Sequence, residues 1–129
     1  MQIEKQGYLP IVVIGAGGIV QDSHLPAYQK AGFSVKGIFD LDFQKANLVA
    51  EKFAIGEVYK TLDEALVNNG TGVVYDLAVP GNAHAGILAH LPDSASVLLQ
   101  KPMGDDIQQA EEILSICRSK QLKLSLIHI

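Results

Sequence analysis

Apolar residues in this chain fall into short unbroken runs, and between the runs they recur at helical spacing. Residues 8–14 form a β-branched run that reads as a strand, with Pro10 tolerable near its start because a ladder N–H is dispensable there. A glycine cluster follows, then residues 19–31 read as a helix with a break near Pro26. Residues 34–39 form a second strand ending at Asp40, after which Phe43, Ala46, Ala50 and Phe53 recur as one helical face. Residues 57–59 make a weak third strand. Thr61-Leu62-Asp63-Glu64 has capping-box form and opens a short helix with Ala65 and Leu66 on its apolar side. Residues 73–79 are a fourth strand closed by Pro80-Gly81, and residues 82–91 a helix stopped at Pro92. Residues 96–99 are the fifth strand. Asp105 then caps the longest helix, with Gln108 at capping-box spacing and Ile107, Ala110, Ile113, Leu114 and Cys117 as its apolar stripe.

Strand and helix therefore alternate, and the strands are apolar throughout instead of every second residue. Such strands are buried on both faces, which implies a parallel sheet joined by right-handed crossovers. The expected class is α/β: a three-layer, doubly wound parallel sheet of Rossmann type. A closed eight-stranded barrel would need roughly 250 residues, and the chain has 129.

Composition narrows the function more than the fold. The chain is 48% hydrophobic and 19% charged, as a globular domain is. A formal net charge of −4 and scattered Lys and Arg leave no field for nucleic acid, and sparse aromatics leave no stacking platform for bases. The single cysteine, Cys117, lies on an apolar stripe and reads as core; no Cys/His spacing suggests zinc. The first seven residues are polar, unlike a signal peptide, and no apolar stretch reaches the roughly 18 residues that cross a bilayer. A cytoplasmic protein without membrane or nucleic-acid partners is expected.

The candidate chemistry lies at the ends of the strands. In "IVVIGAGGIV", Gly15, Gly17 and Gly18 stand between the first strand and the first helix, where Ile19 begins the helix. Gly15 permits a tight turn, Gly17 lets the backbone approach a pyrophosphate, and the helix N-terminus beyond favours phosphate charge. The third fingerprint position, normally Gly or Ala, is Val20. The strand–loop–helix context is what gives a short glycine motif its meaning. Asp40 follows 25 residues after Gly15, at the end of the second strand. A carboxylate there accepts both adenosine ribose hydroxyls and repels a 2′-phosphate, which favours NAD over NADP. Asp42 fits the cap of the following helix better than Asp40 does.

Two further strand ends are distinctive. "AVPGNAH" offers Ala78, Val79 and Pro80 as an apolar wall, with Asn82 and His84 at the start of a helix beside it. His24 and His90 read as surface or structural residues. "SVLLQKPMGDD" ends an apolar strand at Gln100, Lys101 and Pro102. Lys101 is the cation among the expected strand ends, able to hold a substrate oxygen or to titrate when desolvated; position alone favours a solvent-facing strand terminator over that role.

"VIGAGGI", "HLPAY", "FDLD", "AVPGNAH" and "QKPMG" occur in this order over residues 8–123. Together they resemble the nucleotide-binding half of the Gfo/Idh/MocA oxidoreductases, the glucose–fructose oxidoreductase and inositol dehydrogenase family. The resemblance implies an NAD-dependent dehydrogenase moving hydride between nicotinamide and a sugar-like or cyclitol-like alcohol. It also implies that Lys101, the lysine of the family's Glu-Lys-Pro signature, is the catalytic residue beside nicotinamide and substrate. The signature's glutamate is Gln100 here, which removes a charge that would favour the ammonium form of Lys101. Two rivals share the loop and acid: a dinucleotide-sensing regulatory protein without catalysis, kept open by Gln100, and a methyltransferase using the same fold.

Family members carry a second α/β domain that supplies the substrate pocket and usually the oligomer interface. No stretch of this sequence corresponds to it, so residues 1–123 are expected to be the cofactor domain alone, with little or no turnover, the substrate domain and any homo-oligomer belonging to the full-length protein. Residues 124–129, "LSLIHI", equal the translation of ctg-tct-ctt-ata-cac-atc, which resembles a transposon end used in preparing sequencing libraries. A non-native tail is therefore expected over 124–129; the alternative is a sixth strand.

Overall fold

The computed structural model describes residues 9–100 and 103–127. Six parallel strands form one sheet in the order β3-β2-β1-β4-β5-β6. They are β1 (Ile11–Ile14), β2 (Val35–Phe39), β3 (Glu57–Tyr59), β4 (Val74–Leu77), β5 (Ser96–Gln100) and β6 (Lys123–Ile127). The helices are α1 (Leu25–Ala31), α2 (Phe43–Phe53), α3 (Leu62–Asn69), α4 (His84–His90) and α5 (Ile107–Lys120). The chain adds strands outward from β1 to β3, then returns to the other side of β1 and adds β4 to β6. That reversal leaves a crevice beyond the carboxyl ends of β1 and β4, where ligands of open parallel sheets sit.

Two cores explain the unbroken apolar strands. Val12, Ile14, Tyr75, Leu77, Val97 and Leu99 pack with Ala65 of α3, Leu88 of α4, and Ile113 and Cys117 of α5. Ile11, Val13 and Ile38 pack on the opposite face with Val20, Leu25 and the α2 residues Ala46, Val49 and Ala50. Both faces of β1 are thus covered, and all four of its residues are buried. Cys117 lies in the first core, where burial raises its thiol pKa, as its place on the stripe suggested. Among the described residues no helix is long and apolar enough to cross a membrane.

The expected break at Pro26 is a widened turn and not an interruption. Residues Val20–His24 form a π-turn in which the Leu25 N–H bonds to the Val20 carbonyl. Proline has no N–H and crowds the carbonyl four residues back, and adding one residue to the turn relieves both problems. The widened turn carries His24 inward, where its Nδ1 lies 2.7 Å from Asp76 Oδ2 on β4. Tyr28 donates its hydroxyl to the same oxygen at 2.6 Å. His24 is therefore structural: with Tyr28 it compensates a carboxylate buried in the middle of the sheet.

Three other expectations shift. The α5 cap is Asp106, whose side chain accepts the Gln109 N–H at 2.8 Å, and Gln109 Oε1 accepts from the Asp105 N–H at 2.6 Å. The cap is thus one residue later than Asp105, and Gln109, not Gln108, reaches back to the residue before the cap, because a left-handed turn at Gly104 delays the helix. The buried stripe of α5 is also narrower: Ile113 and Cys117 are buried, whereas Ile107 is 78% and Leu114 39% exposed. On α2, Val49 joins Ala46 and Ala50 inside, and Phe43 lies outside with Lys60 Nζ 5.8 Å from its ring centroid. Asp42 and Thr61 cap α2 and α3 as read from the sequence.

Candidate cofactor site at the switch point

The first wall of the site is the turn after β1. Gly15 has φ +117°, which side-chain-bearing residues rarely adopt, and a Cβ on it would collide with the Ala78 carbonyl. The close approach is held from both sides: Gly15 N–H bonds to the Phe39 carbonyl at 2.7 Å and Ala78 N–H to the Ile14 carbonyl at 2.9 Å. Gly17 differs, since a Cβ there would meet no heavy atom within 4 Å. Protein packing does not require that glycine; it leaves the loop open toward the cleft. Helical turns begin at Gly18, and the N–H groups of a first turn have no intrahelical partner, which suits them to an anion.

The second wall is the end of β2. Asp40 Oδ2 accepts the Ala16 N–H at 2.8 Å, and Oδ1 accepts the Asp42 N–H at 2.8 Å. Each carboxylate oxygen has a second lone-pair direction, so the group can accept further hydroxyls while it holds the loop. Asp42 takes the separate task of capping α2 through Lys45 N–H at 3.2 Å.

The third wall is the end of β4, where Ala78, Val79 and Pro80 leave the ladder. Between the walls is a cleft of about 530 Å³, within the range of small-molecule sites. Gly15, Gly17, Asp40, Ala78, Val79 and Pro80 line it together, as the strand-end reading predicts. Leu62, Ala83 and Ile87 extend its apolar side, and Lys45 adds a cation near Asp40. None of the four was singled out from the sequence, although Ala83 lies within AVPGNAH and Leu62 within the Thr61–Glu64 capping box; Lys45 could have been suspected from its place in the first turn after the acid.

Gly18, Ile19, Asn82 and His84 are not in the lining. Gly18 and Ile19 are exposed, and Asn82 is exposed in a 3-10 turn over Gly81–Ala83. His84 is buried with both ring nitrogens engaged: Nε2 lies 3.2 Å from the Val79 carbonyl, and the Gly104 N–H donates to Nδ1 at 3.2 Å. This pairing assigns the neutral tautomer with hydrogen on Nε2. Burial lowers the His84 pKa, opposed by the Val79 carbonyl and the Asp105 charge.

The backbone of Gln100 ends β5, whose Leu99 pairs with Leu77 of β4. Lys101 and Pro102 lie outside the described residues. Among the described residues, no three His, Cys, Asp or Glu side chains cluster as metal ligands do.

Comparison with known proteins assigns the family. The NAD-binding Rossmann fold profile of the Gfo/Idh/MocA oxidoreductase family matches residues 9–128. The chain belongs to this oxidoreductase family. An uncharacterized protein of Saccharomyces cerevisiae is 31% identical over 128 residues, covering 92% of this chain and 35% of that protein. The WlbA dehydrogenase of Chromobacterium violaceum, in complex with NADH and UDP-GlcNAcA, superposes with a TM-score of 0.81 at 17% identity. The match spans 97% of this chain and 37% of that one. The UDP-N-acetylglucosamine 3-dehydrogenase GnnA of Acidithiobacillus ferrooxidans gives a TM-score of 0.74 at 20% identity, covering 92% and 38%. At these identities the two structures show the shared fold. The chain spans about a third of the length of each of these relatives. The cleft fits the dinucleotide of the family fold: an uncrowded Gly17, a helix start behind it, an anchored carboxylate and an apolar wall.

Proposed function

We propose that this chain is the cofactor-binding half of an NAD-dependent dehydrogenase acting on a sugar-like or cyclitol-like alcohol. The observation that carries the reading is the Asp40 carboxylate, fixed by the Ala16 and Asp42 N–H groups at the mouth of a cleft left open by Gly17. Bound nicotinamide supplies or accepts the hydride at C4. The chain's own residues hold and orient: the Gly15–Gly18 loop and helix start take the pyrophosphate, and Asp40 takes the ribose hydroxyls and rejects a 2′-phosphate. Ala78, Val79 and Pro80 wall the nicotinamide half, and Gln100, Lys101 and Pro102 belong to the same cofactor side of the site in this reading. Lys101 positions the reacting oxygen and moves its proton.

The nucleotide sugars in the names of the two structural neighbours support the sugar-like substrate class. Residues 1–123 form the cofactor domain in this reading, and the complete cytoplasmic protein adds a substrate domain and with it any homo-oligomer interface. In this reading residues 124–129 are a non-native tail; the alternative of a genuine sixth strand draws on the pairing of residues 124–127 with β5 and on a family match that runs to residue 128. Sequencing the locus downstream of Lys123 tests the tail reading, and a native frame ending at Ile129 refutes it.

The complete protein, given NAD and a panel of polyols, cyclitols and nucleotide sugars, should reduce the cofactor with at least one of them. Binding of NAD without turnover on any of them would favour the sensing role that Gln100 keeps open.

A further inference from the structure

The turn after β5 is tied to the turn after β4 at two adjacent points. Gly81 lies against Gly104 and Asp105 so closely that a Cβ on it would meet the Gly104 carbonyl oxygen at 2.6 Å. Three residues on, the His84 ring bridges the Val79 carbonyl and the Gly104 N–H. Gly104 itself has φ +67°, and Gln109 fastens the following residue through the Asp105 N–H. Gly104 and Asp105 are thus pinned against the turn after β4, and one of the pins is a titratable ring.

We propose that His84 is a positioning residue which, as the neutral Nε2–H tautomer, holds Gly104 against the end of β4 and thereby supports the work proposed for Lys101, three residues earlier in the sequence. The consequence for Lys101 rests on the proposed role of that lysine; the clamp itself does not. Protonation would place a second N–H on Nδ1, facing the Gly104 N–H, and two donors cannot share a hydrogen bond. The clamp therefore opens in acid. The groups acting on the ring are the Val79 carbonyl from the β4 end, the Gly104 N–H, and the Asp105 carboxylate from the β5–α5 turn. Burial holds its pKa below the ordinary histidine value, so the closed form persists through neutral pH.

Amide hydrogen exchange and ¹⁵N spectra of this chain test the clamp directly. The wild-type Gly104 amide should lose about tenfold of its protection as pH falls through the His84 titration, which corresponds to one hydrogen bond. The His84 ring should show the Nε2–H tautomer above that pH. His84→Gln, which offers an amide donor and acceptor without titrating, should keep part of the protection and lose its pH dependence. His84→Leu should remove the protection at every pH. In the complete protein, His84→Gln should erase the acid limb of kcat assigned to His84 while KM for NAD stays within about twofold. A Gly104 amide indifferent both to pH and to His84→Gln, or an Nδ1–H tautomer, overturns the clamp whether or not the leucine variant folds. A pH-sensitive Gly104 amide with an unchanged kcat profile would keep the clamp and overturn its link to Lys101.

Discussion

Asp40 Oδ2 accepts the Ala16 N–H across 2.8 Å, joining the acid at the end of β2 to the glycine loop at the end of β1. The residue proposed to hold the adenosine ribose thus also shapes the loop proposed to hold the pyrophosphate. Asp40→Ala should weaken NADH binding by about tenfold or more, since hydrogen bonds to a charged group are worth about 1.5–3 kcal/mol. NADPH should lose less, so the NADH-to-NADPH preference should shrink or invert. Parallel calorimetric titrations check it, and an unchanged preference would remove Asp40 from the ribose role.

Gly15 and Gly17 separate structure from ligand contact. Gly15→Ala faces both a positive φ and the Ala78 carbonyl, so it should cost at least about 1–3 kcal/mol of stability. Gly17→Ala meets nothing in the protein and should leave stability within about 0.5 kcal/mol. It should nevertheless weaken NADH binding, because its methyl would occupy the open side of the loop. Thermal melts paired with NADH titration distinguish the two.

Two tyrosines predict the alkaline limit of the fold. Burial is the largest cause raising the Tyr75 pKa, to about 12; its hydroxyl donates to the Gly70 carbonyl at 2.6 Å. Tyr28 is pushed up as well, by burial and then by the Asp76 charge. A raised pKa means stability that is intact below pH 10, the ordinary tyrosine value, and lost above it as the unfolded chain ionises first. Denaturant midpoints should therefore fall between pH 10 and pH 12, and Tyr75→Phe should flatten that decline. A wild-type midpoint that is constant over this range would contradict the burial of these hydroxyls.

Lys101 carries the catalytic half of the proposal. In the complete protein, Lys101→Ala should lower kcat by about 10²–10⁴, the usual contribution of a positioned proton-transfer group, while NADH still binds. Stopped-flow hydride transfer with fluorescence titration reads both quantities. Full turnover in the variant would place the acid–base group elsewhere.

The alternation of strands and helices along the chain, the tight turn at Gly15 and the cleft-lining position of Asp40 were legible because each rests on local chemistry. An apolar run, a glycine and an acid at the strand's end can be read without knowing what packs where. The α5 cap was misplaced by one residue because Asp105 and Asp106 are equal as caps until the left-handed Gly104 turn decides between them. Ile107 and Leu114 fit a helical stripe, yet which side of α5 meets the sheet is a tertiary matter. His24 and His84 were opaque for the same reason. The partners are Asp76, fifty-two residues away, and Gly104, twenty residues away. No spacing rule connects such pairs.

Direct titration of this chain with NADH, NADPH and S-adenosylmethionine tests the central claim. The account predicts saturable binding of NADH, weaker binding of NADPH and none of S-adenosylmethionine, with NADH binding impaired by Gly17→Ala. Preference for NADPH would contradict the role given to Asp40, and preference for S-adenosylmethionine would contradict the assignment of the cleft to a nicotinamide cofactor.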